Sequence, residues 1–401
     1  MKKYDVVIAG GGPIGGHTAG QIAKNNNSVL LIEEHSEIGI PQKCAGLITP
    51  RVFDLIDVST KNIVQNTILG AHIHSPKGHI LTIGEDKTQA IVINRKKFDQ
   101  AIVKKAQNNG ADVKTSHKLV YAKKQNNHLL LTVKHTTIQQ HIQTKLLIGA
   151  DGTHSTIRKQ FNFPEPTEIL SGIGAEIQNV QLDPHHVHLY LGNNIAPGFF
   201  AWVIPTNTQG TQARIGLCTN NLSQHTLKHY SNNLLTTLKK EQPTLTIKKF
   251  SSGAIPLGWL PKTTQSNVML VGDAASQVKP TSGGGIYTGL ICAKQCSQTA
   301  VQANNSNDFS NKTLLAYHVQ CSNKLKREIN IGMTFRKIFT HLSDKQIDRY
   351  LTQLNTPKNI AIINQSGDID YPSKLAIPLL RKNPLFIRLL PSALKTKITN
   401  R

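Results

Sequence analysis

Acidic residues are scarce in this chain. Against 46 lysines and arginines stand 23 aspartates and glutamates, a formal net charge of +23. Such an excess points to anionic partners: phospholipid head groups, nucleic acid or acidic proteins. Aromatic residues make up only 5%, and none are interleaved with the basic residues as a stacking surface for nucleic acid requires, so no nucleic-acid partner is expected. No apolar run approaches the length of a membrane span. The first strand begins almost at Met1, which leaves no room for a signal peptide. Five cysteines, Cys44, Cys218, Cys292, Cys296 and Cys321, are odd in number and form no C-x-x-C pair. They read as reduced thiols of a cytosolic protein. His185, His186 and His188 cluster, but no carboxylate or thiol set accompanies them, so no metal is expected. His72 and His74 share one strand face, solvated or tied to phosphate or backbone. Internal repeats, low-complexity tracts and a second complete G-x-G-x-x-G are also missing.

What is present is concentrated in three stretches of a 401-residue chain, long enough for two or three domains. In the first, Val6 to Ala9 is a short apolar run suited to a buried parallel strand. Gly10, Gly12 and Gly15 follow as G-x-G-x-x-G at the turn into a helix, and Val29 to Ile32 is a second strand ending at Glu33. The first glycine permits the tight turn, the second lets backbone approach a pyrophosphate, and the third lets helix and strand pack closely. Glu33 is placed to accept from a ribose 2′-hydroxyl, which favours FAD or NAD over NADP. The second stretch, Lys145 to Arg158, runs from a strand into a Gly149-Ala150-Asp151-Gly152 turn and a helix. Taken alone it is also an ordinary turn with Asp151 bonded to local N–H groups. In the third, Val268 to Val271 ends in Gly272-Asp273, and Pro280-Thr281-Ser282-Gly283-Gly284-Gly285 opens a helix from Ile286. The glycine run exposes N–H groups toward a ligand. Asp273 either accepts from a ribityl hydroxyl or caps the turn.

Between these stretches the pattern changes. Ala71 to Ile83 reads as a hairpin turning at Pro76-Lys77-Gly78, Ile91 to Arg95 as a strand ending in an arginine, and Phe98 to Gln107 as an amphipathic helix. Strands are expected at 129–133 and 141–148. Alternating segments at 187–191, 199–204 and 213–219 suggest an antiparallel sheet. Phe200, Trp202 and Ile204 fall on one face of it, either as sheet core or as the wall of an apolar pocket. Cys44 follows Lys43 and precedes Gly46, so it is either a tuned thiol or a small buried residue. Leu314 to Leu342 is expected to be helical, with a capping box at Ser343. Ser373 to Arg401 carries seven basic residues among leucines and no acid, as in helices lying on an anionic membrane or in a packed subdomain with a solvated face.

In this order the three stretches resemble the FAD flavoproteins built like aromatic hydroxylases. The details resemble the geranylgeranyl reductase family, archaeal type. Gln42-Lys43-Cys44-Ala45-Gly46 is similar to its cysteine loop, and Pro197 to Pro205 to its P-x-x-Y-x-W-x-F-P signature, with Phe200 in place of the tyrosine, which removes a phenolic hydroxyl, and Ile204 in place of the phenylalanine. Pro280 to Ile286 and Asp368 to Leu375 also match. The resemblance implies an α/β fold: a Rossmann-like FAD-binding domain (1–60, 90–166 and 262–312) interrupted by a mixed or antiparallel substrate-binding sheet domain (61–89 and 167–261). A C-terminal helical, basic subdomain (313–401) completes it. It implies FAD contacts from Gly10, Gly12, Gly15, Glu33, Cys44, Ala45, Gly46, Arg95, Val120, Asp273, Gly285 and Ile286. Cys44 is implied as catalytic, and Phe200, Trp202 and Ile204 as substrate-binding.

The implied activity is reduction of isolated double bonds in the geranylgeranyl chains of isoprenoid ether phospholipids. The enzyme would sit in the cytoplasm, peripherally on an anionic membrane, with a ferredoxin-like carrier or NADPH as electron donor. The chemistry agrees: an unactivated alkene needs a hydride from reduced flavin, a proton at the other carbon, and a dry apolar pocket. The alternative is a flavin-dependent monooxygenase or halogenase of an apolar substrate, since Trp202-Val203-Ile204-Pro205 resembles part of the halogenase W-x-W-x-I-P motif.

Overall fold

A computed structural model describes residues 1–42, 44–223 and 225–382, the side chains of residues 376, 377 and 380–382 excepted. The chain opens with β1 (Lys2–Ala9), α1 (Pro13–Ala23) and β2 (Val29–Ile32). Next come β3 (Leu47–Ile48), α2 (Arg51–Leu55), β4 (Val64–Ile68), the hairpin β5 (Gly70–His74) and β6 (Ile80–Gly84), β7 (Ala90–Ile93) and α3 (Arg95–Asn108). A run of strands follows, β8 (Asp112–Lys114), β9 (His117–Gln125), β10 (His128–His135) and β11 (Ile138–Gly149), then α4 (Thr156–Gln160). The next segment contributes β12 (Glu168–Gln178), β13 (His186–Tyr190), β14 (Ala201–Pro205), β15 (Gln212–Thr219), α5 (Leu227–Glu241) and β16 (Thr246–Leu257). The chain then returns through β17 (Thr264–Gln265) and β18 (Val268–Leu270) to six helices: α6 (Ile286–Asn305), α7 (Asn311–Cys321), α8 (Arg327–Phe339), α9 (Asp344–Leu354), α10 (Pro357–Ser366) and α11 (Ser373–Lys382).

The strands form three sheets. One has the path β17-β18-β11-β1-β2-β8, with β10 and β9 running off β11. Its centre is parallel: β1 pairs with β2 and β11, and β11 with β18. Val6 and Ile8 are fully buried on the side of α1, α3 and α6, and Val7 on the side of β9, β10 and α4, each contributing about 1.5–3 kcal/mol of apolar burial. The second sheet has the order β16-β12-β15-β14-β13-β5-β6 and is antiparallel except where β5 meets β13. The third joins β3, β7 and β4, so β4 sits beside the strand before Arg95 rather than in the seven-stranded sheet.

The expected hairpin is β5–β6, and the capping box at Ser343 is present, with the Gln346 side chain reaching back. The stretch expected as one helix from Leu314 divides into α7 and α8 around a π-turn at Ser322–Lys326. Of the basic C-terminal run, α11 is described, and 383–401 lie outside the described residues. Among the described residues no helix is long and apolar enough to cross a membrane.

Candidate functional site

The three glycine-rich stretches meet because their strands are neighbours. Ala9 at the end of β1 is in register with Gly149 at the end of β11, and Gly149 with Leu270 at the end of β18. The turns after them stitch together: Ala150 N–H donates to Ala9 O at 2.8 Å and Val271 N–H to Gly149 O at 2.9 Å. All three therefore open on one crevice at the carboxyl ends of parallel strands, where open α/β sheets bind ligands.

Each fingerprint glycine has its own reason. Gly10 has φ +110°, and a Cβ there would lie 2.2 Å from Ala150 O. At Gly15 it would lie 2.0 Å from Gly10 O. Both are demanded by the protein's own packing. At Gly12 a Cβ meets nothing within 4 Å. That open space lies at the N-terminus of α1, whose Gly12 cap has no side-chain hydrogen bond, so it suits an anion on free N–H groups. Glu33 closes the loop, its Oε2 accepting from Gly11 N–H at 2.7 Å and its Oε1 from His35 N–H at 3.0 Å.

Asp151 proves to be a local cap, accepting from Ser155 Oγ at 2.6 Å and from Ile157 N–H at 3.2 Å. Asp273 behaves differently. Among the described residues no hydrogen bond reaches its carboxylate, and burial pushes its pKa up against the opposing charge of Arg95. A Cβ on Gly285 would lie 2.9 Å from Asp273 Oδ1, so Asp273, Gly285 and the first residue of α6, Ile286, are brought together. An unpartnered carboxylate beside an open helix N-terminus is what a ribityl chain and pyrophosphate would satisfy, so the residues fit FAD.

Arg95 lies at the start of α3. It donates from Nη2 to Asp99 Oδ2 at 2.9 Å and from Nε to Asp99 Oδ1 at 3.1 Å. Burial works against its charge, but Asp99 and Cys44 outweigh that and raise its pKa. Gly46 N–H points at Cys44 Sγ at 3.4 Å. A second arginine reaches the same loop. Arg214, on β15, is 6% exposed and donates to Ala45 O at 3.0 Å, Ile93 O at 2.9 Å and Gln65 Oε1 at 2.7 Å. Burial lowers its pKa, opposed by Glu176 and Cys44. Gly46 has φ +73°, and a Cβ there would lie 2.4 Å from Arg214 Nη1. The charges of Arg95 and Arg214 are both felt at Cys44. Lys43, the neighbour expected to influence it, lies outside the described residues.

Ala45 and Leu47 pack in one apolar cluster with Trp202 and Ile204. Trp202 also belongs to a second cluster with Phe199, Phe200 and Val278, just before the glycine run. Phe200 and Trp202 meet edge-on at 6.2 Å. The aromatic segment thus packs as sheet core, running from the cysteine loop to the glycine loop. Arg336 of α8 holds it from behind: it donates to Glu168 Oε2 at 2.6 Å and to Gly198 O at 2.7 Å, and its guanidinium lies 5.3 Å from the Phe199 ring centre. Val120 is placed apart, on β9, 39% exposed. Its carbonyl accepts from Gln160 Nε2 at 2.6 Å, while β9 begins beside Glu33, His117 N–H donating to Glu33 O.

Sequence reading did not find Arg214, Arg336 or Lys279. Arg214 carried a signal, a lone charge inside the apolar run Ala213 to Cys218. Lys279 precedes the glycine run and is 7% exposed. Its Nζ donates to Asp370 Oδ1 at 2.7 Å, and Asp370 accepts from Thr49 Oγ1 at 2.6 Å. The Asp368-Ile369-Asp370-Tyr371 segment therefore braces the glycine loop.

Comparison with known proteins agrees with this geometry. A family model described as an FAD binding domain matches residues 3–322. An uncharacterized protein of Methanocaldococcus jannaschii is 33% identical over 95% of this chain and 95% of its own. From the same organism, digeranylgeranylglycerophospholipid reductase is 32% identical over 86% of this chain and 89% of its own. Among solved structures, a geranylgeranyl bacteriochlorophyll reductase-like protein of Thermoplasma acidophilum has TM-score 0.88 at 23% identity, covering 97% of this chain and 98% of its own. A flavin-dependent brominase variant has TM-score 0.71 at 16% identity, covering 95% and 100%.

Proposed function

The chain belongs to the FAD binding domain family, among the relatives of digeranylgeranylglycerophospholipid reductase, and from that premise we propose that it saturates isolated double bonds in the geranylgeranyl chains of isoprenoid ether lipids. It is an FAD-dependent oxidoreductase acting on carbon–carbon double bonds. The observation that carries the proposal is the apolar packing that runs from the Cys44 loop through Trp202 to Val278 before the glycine loop. Such a wall binds a long hydrocarbon chain and keeps water out.

Gly12 and the N-terminus of α1 would hold the pyrophosphate, Glu33 the adenosine ribose, and Asp273 with Gly285 and Ile286 the ribityl chain. Bound there in reduced form, FAD supplies the hydride that adds to one alkene carbon. The residues of the chain must then deliver a proton to the other carbon and place the bond. Cys44 is the only cysteine among the described residues that is not buried, and its neighbour Ala45 packs in the apolar cluster with Trp202. We assign Cys44 the proton transfer. Arg214 would hold the loop that carries it, through Ala45 O at 3.0 Å. Phe200, Trp202 and Ile204 position the chain. Phe200 brings no hydroxyl, so no proton comes from that position.

The reductant and the surface on which the lipid is met belong to the same proposal. The reductant is a ferredoxin-like carrier or NADPH. The basic run from Ser373 favours an anionic membrane surface, each Lys or Arg there contributing about 1 kcal/mol.

Cys44→Ser tests the assignment. It keeps a donor of similar size with a far higher pKa. Flavin content should be retained while anaerobic alkene reduction by the reduced, FAD-loaded protein falls by about 10²-fold or more. Wild-type turnover would remove Cys44 from the mechanism, and joint loss of flavin and turnover would make it structural.

A further inference from the structure

The seven-stranded sheet has a second face, away from Trp202. Register shows this: Leu189 pairs with Trp202, while His188 pairs with Val203 and with His72, and His72 with Thr82. Residues opposite one another in adjacent strands share a face. The far face therefore carries His72 and His74 from β5 with His186 and His188 from β13. Their rings stack, His72 on His186 at 4.7 Å and His74 on His188 at 5.2 Å between centres.

The expectation of no carboxylate among these histidines is not met. Asp183, in the turn before β13, places Oδ2 2.7 Å from His186 Nδ1. One ring nitrogen each of His72 and His186 and one oxygen of Asp183 all lie within 4.8 Å of one another. We propose that His72, Asp183 and His186 bind one borderline divalent cation, zinc, linking β5 to β13.

Three features support a built site. Two donors on a tetrahedral zinc lie about 3.4 Å apart, so the side chains need to close by roughly 1 Å. The ligands are oriented from behind: His72 Nδ1 is 2.9 Å from Thr82 Oγ1, and Asp183 Oδ1 accepts from His185 N–H at 2.8 Å. Outer contacts of this kind fix the ring nitrogen and the carboxylate oxygen that face the metal. Gly70 also lets the His186 ring lie close, since a Cβ there would be 2.7 Å from its Nε2. Beside the site, His188 Nε2 is buried without a protein partner, and its ring centre is 5.0 Å from that of His72. A water on the open fourth position of the ion would serve it.

On binding, the cation takes the place of the proton shared between His186 Nδ1 and Asp183 Oδ2, and that proton leaves to solvent. Imidazole and carboxylate donors suit zinc better than magnesium or calcium. The location gives the site a structural task. The β5–β6 hairpin joins the sheet through the β5–β13 pairing, and Ile73 and Val187 on the reverse of those strands pack with Trp202 and Ile204. A metal staple there would stiffen the apolar wall of the lipid site.

The test is equilibrium dialysis of the full-length, FAD-loaded chain against zinc chloride, followed by elemental analysis. It would compare wild type with Asp183→Asn, which keeps the bond to His185 N–H, with His72→Gln, and with a His117→Gln/His135→Gln control at a remote stacked pair. The expected result is one zinc per chain, affinity reduced about 10-fold or more by each site substitution, and no change in the control. Zinc should also raise the thermal midpoint of wild type and not of Asp183→Asn. No retained zinc, or equal retention by wild type and Asp183→Asn, overturns the proposal.

Discussion

The contact between Lys279 and Asp370 gives the sharpest perturbation. Both side chains are nearly out of solvent, 9% and 0% exposed. Asp370 satisfies the ammonium at 2.7 Å and the Thr49 hydroxyl at 2.6 Å, with Arg51 at 3.4 Å. Lys279 in turn belongs to the glycine loop, its N–H donating to Gly284 O and its carbonyl accepting from Gly283 N–H at 2.9 Å. Asp370→Ala leaves the ammonium buried without its carboxylate, a loss of about 3–5 kcal/mol for a broken buried pair. With the cofactor docked at this loop as proposed, part of that loss should appear as weaker FAD binding. Lys279→Met/Asp370→Leu removes both charges and should recover most of the stability, since an apolar pair in place of a buried ion pair is often neutral. The assay is denaturant unfolding of the FAD-loaded proteins with FAD titration of each variant. A loss below about 1 kcal/mol in Asp370→Ala, or a double variant no better than the single ones, would refute the clamp.

Three further perturbations separate other parts of the account. Gly12→Val should abolish FAD binding while the apoprotein keeps its thermal midpoint, because its Cβ enters open space, whereas Gly10→Ala should destabilise the apoprotein itself; titration and unfolding of both variants check this. A maleimide should label one thiol per native chain, at Cys44, and FAD should protect it, since Cys218, Cys292, Cys296 and Cys321 are buried and burial pushes Cys218 up to about 12; peptide mapping reads the site. Burial alone would raise Asp368, but hydrogen bonds from Arg51 and Lys374 hold it at about 2. A depressed carboxylate pKa stabilises the fold above its unfolded value of 3.8 and loses that contribution as pH falls toward 2. Asp368→Asn should therefore lower stability at neutral pH and flatten the loss across that window, measured by unfolding as a function of pH.

The local parts of the fold are legible in the sequence. The run Val6 to Ala9, its glycines and Glu33 lie within a few turns of chain, so apolar periodicity and backbone space identify them. The same holds for the β5–β6 hairpin and the Ser343 capping box. The strand β12 is harder to see, because Gly172 and Gly174 inside it dilute its alternation. Helix α5 is obscured by asparagine, threonine and histidine, all weak helix formers. The site is less legible where contacts are distant. Thr49 and Asp370 are separated by 321 positions, and Arg214 reaches Ala45 across two sheets, so nothing local marks either. Asp183 was passed over because it lies in the turn ahead of the histidines, and only the parallel pairing of β5 with β13 brings His72 to it.

The most direct measurement of the central claim is anaerobic incubation of the reduced, FAD-loaded protein with geranylgeranyl ether phospholipids, followed by mass spectrometry of the lipid chains. The account predicts products heavier by two hydrogens for each bond saturated, formed without oxygen. Unchanged lipid under those conditions, with turnover appearing only when oxygen is admitted, would contradict it and identify an oxygenating flavoprotein.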